Sequence, residues 1–313
     1  MERDEVEKPI RLRDFLIDRY GGIYAVSVYD NDEQAGCVLR YLPDPDGERA
    51  CADGKRYRKI EFDEAFAWVK EHHPEWENTV HRIPLDQIAS VLKPEEEMPA
   101  IIERDPRVRK LVSLFNLPEK SYGCTGSLLC GLENEASDID LVVYGEHWFS
   151  AQRQLADAVS KGLIPEMSEE MWRKVYRKRV PEIAFDDFVA HESRKFNRGE
   201  YEGTYFDLLF SRGYAEQNRV PIKKGVPIGR DVIEATVTDA SLAFDNPSVY
   251  AIDHEEISHV LSFTHTYAGQ ALTGEVIEAA GVVEDHGDEK WLIVGTTREA
   301  RGEYILSRTL LNR

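Results

Sequence analysis

The segment GCTGSLLCGLENEASDIDLVVYG, residues 123–145, constrains the fold more than any other part of the chain. Asp138 and Asp140 stand at the start of an apolar run, although aspartate is a poor strand former. Residues two apart in a strand point to the same face, so the two carboxylates repel each other there. We predict that Ile139 and Leu141 face a core, and that both carboxylates leave the sheet on the other side to serve a ligand.

A divalent cation is the natural partner of these carboxylates. Two carboxylates so close raise each other's pKa unless a cation lies between them, and ligation by oxygen alone suits Mg²⁺ or Mn²⁺. Gly126 and Ser127, at a predicted turn, supply a second element. Glycine lets the backbone approach a phosphate, serine donates from its N–H and hydroxyl, and a following helix adds partial positive charge. The combination predicts nucleoside triphosphate chemistry.

The ordered motif of Gly126-Ser127, ten intervening residues and Asp138-Ile139-Asp140 resembles the signature of the DNA polymerase β-like nucleotidyltransferase superfamily. That superfamily includes CCA-adding enzymes, poly(A) polymerases and aminoglycoside nucleotidyltransferases, and the flanks resemble uncharacterised archaeal members. The resemblance covers about a third of the chain. Outside the core motif the chain does not match the CCA-adding or poly(A) patterns, so the acceptor stays open.

The resemblance implies a third carboxylate on a later strand, flanked by apolar residues. Asp207 in YFDLLF fits this description, with Phe206 and Leu208 on the opposite face of the strand. Asp186 and Asp187 in FDDF compete with it, but their segment is predicted to be helical or irregular. The strand pattern favours Asp207.

The resemblance also implies the roles of these residues in a two-metal mechanism. Asp138, Asp140 and Asp207 are then the catalytic and metal-binding residues. Gly126 and Ser127 hold the β- and γ-phosphates. The cofactor is Mg²⁺ or Mn²⁺, and a nucleoside triphosphate is the substrate.

Two basic segments are further binding candidates. Arg173 and Arg177 lie one turn apart in a predicted helix, and Arg194 and Lys195 follow in ESRKFNR. These cations either grip a triphosphate or polynucleotide backbone, or form solvated helix faces. The sequence leaves both interpretations open.

Three domains are predicted along the chain. They are an N-terminal α/β domain over residues 1–100, a nucleotidyltransferase catalytic domain over 101–217 and a C-terminal β-rich domain over 218–313. The proline-flanked segment KPEEEMP, residues 93–99, is predicted to be a linker.

Local patterns give most elements of these domains. GGIYAVSVYD and AGCVLRYLPD predict a hairpin, FDEAFAWVKEHH predicts a helix, and Asp105 with Pro106 predicts a capped helix start. In the C-terminal region, short strands between Gly, Asp and Asn turns predict a small barrel or sandwich, with the OB fold as one candidate. The predicted fold class is α+β.

Composition limits the partners and the compartment. The chain carries 58 acidic and 39 basic residues, a formal net charge of -19, which argues against a broad nucleic-acid-binding surface but not against a local basic groove. The four cysteines show no zinc-ligand spacing and are expected to be free thiols. With no apolar signal segment or membrane-length run, we expect a soluble, cytoplasmic protein.

The leading hypothesis is a metal-dependent nucleotidyltransferase that modifies a hydroxyl group, with RNA as the favoured acceptor because of the three-domain size and the predicted barrel. The enzymatic alternative is nucleotidylation of a protein or a small molecule. The non-enzymatic alternative is a nucleotide- or RNA-binding scaffold without turnover.

Overall fold

The computed structural model describes residues 8–216, 224–296 and 301–312. The chain divides into two compact units, the first made of Met1–Gln154 and Glu200–Pro221 and the second of Leu155–Gly199 and Ile222–Arg313. Helices and sheets are mixed in both units, which confirms the predicted α+β class. The predicted three-domain division stays a prediction. Within the described ranges, no helix is long and apolar enough to cross a bilayer.

The first unit begins with a seven-stranded sheet. Its strands are β1 Phe15–Asp18, β2 Ile23–Val26, β3 Gln34–Pro43, β4 Arg49–Ala50, β5 Arg56–Lys59, β6 His81–Pro84 and β7 Ile88–Leu92, and helix α1 Phe62–His72 precedes β6. The path is β4-β5-β3-β2-β1-β7, with β6 paired to β3. β2 and β3 pair antiparallel, which confirms the predicted hairpin. The Asn31 side chain closes the turn by accepting from the Gly36 N–H at 2.9 Å.

Residues 93–99 are not a linker, and that prediction was wrong. Helix α2 spans Pro94–Arg104, and α3 follows at Pro106–Val112. The segment has two features that are typical of a helix start, although its polar composition suggested a linker. Proline occupies the first helical position, and three glutamates in the first turn interact favourably with the positive end of the helix dipole. The predicted start of α3 is confirmed, because the Asp105 side chain accepts from the N–H of the next two non-proline residues.

Buried Arg11 anchors the chain before β1 within the first unit. Its side chain is 2% exposed, and its guanidinium lies 3.5 Å from the ring centroid of Tyr144 and 4.1 Å from that of Tyr214. Nη2 donates to Glu95 Oε2 at 2.8 Å. A buried cation needs such a partner, because an unpaired charge in the core is costly. The segment before β1 is therefore fixed to α2 and to the sheet described next.

A four-stranded sheet follows the first one. Its strands are β8 Tyr122–Cys124, β9 Ile139–Tyr144, β10 Arg198–Tyr201 and β11 Thr204–Ser211, and the helices that follow β8 and β9 are α4 Ser127–Cys130 and α5 Glu146–Ser160. The strand order is β10-β11-β9-β8, with β11 parallel and β8 antiparallel to β9. Gly123 is needed in β8, because an added Cβ would lie 2.2 Å from the Pro94 backbone.

The second unit contains two helices followed by a six-stranded sheet. The helices are α6 Glu169–Arg179 and α7 Phe185–Ser193. The strands are β12 Val226–Leu242, β13 Ser248–Asp253, β14 Ile257–Ser262, β15 Val276–Asp285, β16 Lys290–Val294 and β17 Tyr304–Ser307, before a final turn of helix, α8 Arg308–Leu311. The order is β12-β13-β14-β16-β15-β17, and β12 also pairs with β15. The predicted strands of this region are confirmed.

His81 is a buried titratable group in the core of the first unit. Its ring centroid lies 4.5 Å from that of Phe66 and 6.4 Å from that of Tyr24. Neither ring nitrogen has a hydrogen-bond partner among the described residues. Burial lowers the pKa of His81 to about 4. Between that pH and about 6.5, the unfolded chain binds a proton that the folded chain does not.

The contribution of neutral His81 to stability is therefore complete above pH ~6.5 and is lost as the pH falls toward ~4. When the pH falls from 7.5 to 4, wild type should lose about 2–3 kcal/mol more unfolding free energy than His81→Phe, because the variant has no ring to protonate at this position. The measurement is the melting temperature of wild type and variant between pH 7.5 and 4, with exposed His72→Gln as the matched control. An unchanged acid slope in His81→Phe would show that this prediction is wrong.

Candidate active site

Asp138 lies directly before β9 and Asp140 is the second residue of this strand, close to the strand start that the sequence predicts. Ile139 and Leu141 are 1% and 0% exposed, whereas the two aspartates are half-buried. The alternation follows from the period of two residues in a strand. Further along the same strand Tyr144 is also buried, because Arg11 covers its ring. Along β9, the aspartate face is thus open at the beginning of the strand and covered at Val142 and Tyr144.

Asp207 lies directly beside Asp140 in the sheet. The parallel pairing of β9 and β11 makes these two residues register partners. Register partners point to the same face on strands about 4.8 Å apart, so the two carboxylates are neighbours. Asp207 is 8% exposed, and the Tyr205 hydroxyl donates to its Oδ1 at 3.1 Å. The competing Asp186 and Asp187 lie in α7 of the second unit.

The Gly126-Ser127 turn comes into contact with this pair. Gly126 has φ 71° and ψ -143°, and a Cβ added to it would lie 2.9 Å from Asp140 Oδ2. Both its backbone conformation and its surroundings therefore require glycine. The N–H of Thr125 donates to the Asp140 carbonyl at 2.9 Å, which holds the turn beside the strand. Helix α4 has only four residues, so its dipole adds less to the turn than the sequence suggested.

Two arginines hold the loop that leads into Asp138. Arg107 of α3 donates from Nη1 to the carbonyls of Glu135 and Ser137 at 3.0 and 3.2 Å. Arg49 of β4 donates from Nη1 to the Leu132 carbonyl at 3.1 Å. Sequence reasoning did not identify these residues. Arg49 is 83 positions from its acceptor, so no local pattern signals the contact.

Tyr205 was also missed, although a signal for it exists. It stands two residues before Asp207 on the same strand, so it shares the face of that carboxylate. A polar ring at that position is a candidate partner once Asp207 is taken as a site residue. Thr125 carries no such signal beyond its place next to the turn.

The donor set at the three aspartates fits a hard divalent cation. Cys124 and Cys130 flank the turn, but burial raises the pKa of both thiols well above the usual range, so neither offers a thiolate at neutral pH. Within the described ranges, no three His, Cys, Asp or Glu side chains converge into a group that could hold a metal ion. Asp140 and Asp207 are neighbours in the sheet, and Asp138 does not complete a metal-binding group with them. Mg²⁺ tolerates this, because it completes its shell with water and substrate phosphates.

The basic residues proposed for phosphate binding lie in the second unit. Arg194 pairs with Glu275, with Nη2 donating to Oε2 at 2.8 Å. Lys195 is 1% exposed and donates to the Glu192 carboxylate. Burial lowers the pKa of Lys195 to about 8 although Glu192 opposes that shift. A phosphate-binding role for these two residues stays a prediction, and it requires both ion pairs to open.

Arg173 and Arg177 occupy the exposed side of α6. Arg173 forms an ion pair with Glu169 one turn earlier, and its guanidinium lies 4.3 Å from the ring centroid of Phe185. Such contacts are typical of a solvated helix face, where exposed pairs contribute little. Their role in binding likewise stays a prediction.

Comparisons with known proteins agree with the geometry. The model of the nucleotidyltransferase domain family matches residues 106–190 of this chain. An uncharacterized protein of Methanocaldococcus jannaschii, MJ1086, is 35% identical over 334 residues, which cover 95% of this chain and 98% of that protein. No solved structure matches the chain significantly. The matched domain contains the turn and the first two aspartates but ends before Asp207.

Gly126→Ala tests the packing of the turn. The added Cβ meets the Asp140 carboxylate, and alanine must adopt a backbone conformation, with φ 71° and ψ -143°, that costs about 1–3 kcal/mol outside glycine. We expect nucleotide binding to weaken at least about tenfold, while the melting temperature falls by only a few degrees. Calorimetric titration with Mg²⁺-nucleoside triphosphate measures the first quantity. Gly162→Ala, at another left-handed glycine with no heavy atom near the added Cβ, is the matched control. Equal affinity in Gly126→Ala and wild type would contradict the role of this turn.

Proposed function

We propose that this chain, which belongs to the same family as MJ1086 of M. jannaschii and carries a nucleotidyltransferase domain, transfers a nucleoside monophosphate from a nucleoside triphosphate to a hydroxyl group and releases pyrophosphate. The family match confirms the resemblance drawn from the motif. One observation supports the assignment of residues above all: the register that sets Asp207 beside Asp140, with Gly126 in contact with the same carboxylate.

The three aspartates Asp138, Asp140 and Asp207 would hold Mg²⁺ or Mn²⁺. When bound, the metal supplies charge neutralisation for the triphosphate and lowers the pKa of the attacking hydroxyl. The backbone at Gly126 and the N–H and hydroxyl of Ser127 would bind the β- and γ-phosphates. These residues act by positioning and by stabilising charge rather than by covalent chemistry.

In the transfer step, the acceptor oxygen bonds to the α-phosphorus as the bond from the α-phosphorus to the bridging oxygen breaks. Pyrophosphate carries away the electron pair of that bond. Asp207 would accept the proton of the attacking hydroxyl, and the Tyr205 hydroxyl, which donates to its Oδ1, would orient this carboxylate.

RNA is the acceptor class that the second unit favours. In its sheet, the strands pair in the order β12, β13, β14, β16 and β15, and β15 pairs again with β12. These five strands therefore form a closed path, in which β14 and β16 are parallel. A closed five-stranded path is what an OB-like barrel requires, and OB folds bind oligonucleotides. The net charge of -19 disfavours a broad phosphate-binding surface. We therefore propose that a short single-stranded end is presented to the site.

The test is transfer of label from each α-labelled nucleoside triphosphate with Mg²⁺ or Mn²⁺, in the presence of cellular RNA and the protein itself. We expect label in RNA and at least about a hundredfold loss in Asp140→Asn, because that variant removes one of the charged ligands that would hold the metal at the reacting phosphate. The melting temperature of this variant should be equal or higher, because the repulsion between carboxylates is relieved.

The matched control is Asp186→Asn, which removes an exposed carboxylate of the alternative candidate pair and should leave transfer unchanged. Label that enters protein instead of RNA would identify protein nucleotidylation. Binding of nucleotide without transfer to RNA, protein or small hydroxyl compounds would refute the enzymatic proposal and favour a scaffold.

A further inference from the structure

We propose that Thr125 is a positioning residue through which the N-terminal sheet sets the place of the Gly126-Ser127 turn for triphosphate binding. The inference rests on the proposed function, and it assigns to the N-terminal sheet a task that the motif does not suggest. It concerns residues of the first unit only.

Thr125 joins three parts of the first unit. Its side chain is 6% exposed, and its hydroxyl donates to the Arg13 carbonyl at 2.7 Å. Its N–H donates to the Asp140 carbonyl at 2.9 Å. The next residue is Gly126, so any shift of Thr125 moves the glycine backbone directly. One residue thus ties the turn both to the carboxylate strand and to the chain before β1.

The Arg13 carbonyl is itself held firmly by the N-terminal sheet. Arg13 has φ 81°, a left-handed conformation that is uncommon outside glycine and persists only where the surroundings enforce it. Its N–H donates to the Val26 carbonyl at 3.1 Å, and the Val26 N–H donates to the Asp14 carbonyl at 2.9 Å. The buried Asp14 carboxylate accepts from Lys93 Nζ at 2.8 Å and from the Arg11 N–H at 2.9 Å. These contacts leave the carbonyl little freedom to turn away from Thr125.

The same sheet holds the far end of the segment that links the turn to Asp138. Arg49 of β4 donates to the Leu132 carbonyl and, at 3.4 Å, to the hydroxyl of Ser137, the residue just before Asp138. An apolar cluster adds to this contact and contains residues of the sheet, of α4 and of the loop after it: Phe15, Ile23, Tyr41, Tyr57, Leu129 and Leu132. The N-terminal sheet therefore fixes both ends of the segment between turn and carboxylates.

Positioning of this kind acts on substrate affinity. Backbone donors must lie within hydrogen-bond distance of phosphate oxygens, and misplacement by about 1 Å costs up to a hundredfold in reaction rate. Loss of the Thr125 hydroxyl leaves the Arg13 carbonyl without this donor and frees the turn to move. A purely structural role for the hydroxyl would lower stability without changing the affinity of the folded protein for nucleotide.

The experiment compares Thr125→Val, which keeps the shape and removes the hydroxyl, with Thr125→Ser, which keeps the hydroxyl. Three quantities are measured on the full chain: the melting temperature, the steady-state KM and kcat for the preferred nucleotide, and the Kd of its α,β-methylene analogue with Mg²⁺. We expect Thr125→Val to raise KM and Kd about tenfold, equivalent to ~1.4 kcal/mol, with kcat reduced less. The KM and Kd of Thr125→Ser should lie within about twofold of the wild-type values.

Ser121→Ala is the matched control. Ser121 is 7% exposed and stands at the other end of β8, where its hydroxyl donates to the Pro118 carbonyl at 2.6 Å. Removal of that buried hydroxyl should leave KM and Kd unchanged. An equal rise in Kd for this variant would show that any lost buried hydroxyl weakens binding, which would overturn the specific role of Thr125.

Wild-type affinity in folded Thr125→Val would also overturn the inference and leave the proposed function intact, since wild-type transfer is measured in the same assay. Failure of wild type to bind or transfer any nucleotide would refute the proposed function, and the inference with it. If Thr125→Val does not fold, Arg49→Met tests the other contact of the N-terminal sheet, which is made with Leu132 and Ser137 before the carboxylates. The inference expects a parallel rise of KM and Kd there, and unchanged values would refute it.

Discussion

The candidate site depends on the register between β9 and β11. Asp207 stands beside Asp140 only because Phe206 and Leu208 are paired with Ile139 and Leu141, and these four side chains are almost completely buried. A slip by one residue would turn the apolar set outward and move Asp207 to the other face of the sheet. The free energy of the core therefore enforces the meeting of the two carboxylates.

Arginine side chains and their hydrogen bonds hold the backbone around these carboxylates in place. Arg107 and Arg49 hold the loop before Asp138, and buried Arg11 anchors the chain segment that supplies the acceptor for Thr125. Each of these three arginines contacts a backbone carbonyl or a buried partner, rather than only an exposed carboxylate. The N-terminal sheet thus serves as a support for the turn.

The differences between prediction and structure have physical causes. KPEEEMP was predicted to be a linker because it is polar and flanked by proline, yet the same residues start a helix whose Glu95 is buried against Arg11. A polar composition predicts only that a segment is exposed on average. Glu95 can be buried because it pairs with Arg11, which is 84 positions away in the sequence. The charge pattern at Arg194 was ambiguous for the same reason. The partner of Arg194, Glu275, is 81 positions away, whereas Glu192 stands only three positions before Lys195, so the i, i+3 spacing could have indicated that ion pair.

The sequence by itself determined the carboxylate pair, the glycine turn, the strand that presents them and the family to which they belong. These features are local: alternation along β9 and the conformational needs of Gly126 act over a few residues. Only the tertiary structure decided that Asp207 lies beside Asp140 and that Thr125 is tied to Arg13. Such contacts join residues far apart in the chain, and they form because burial of apolar faces brings those residues together, which no short pattern encodes.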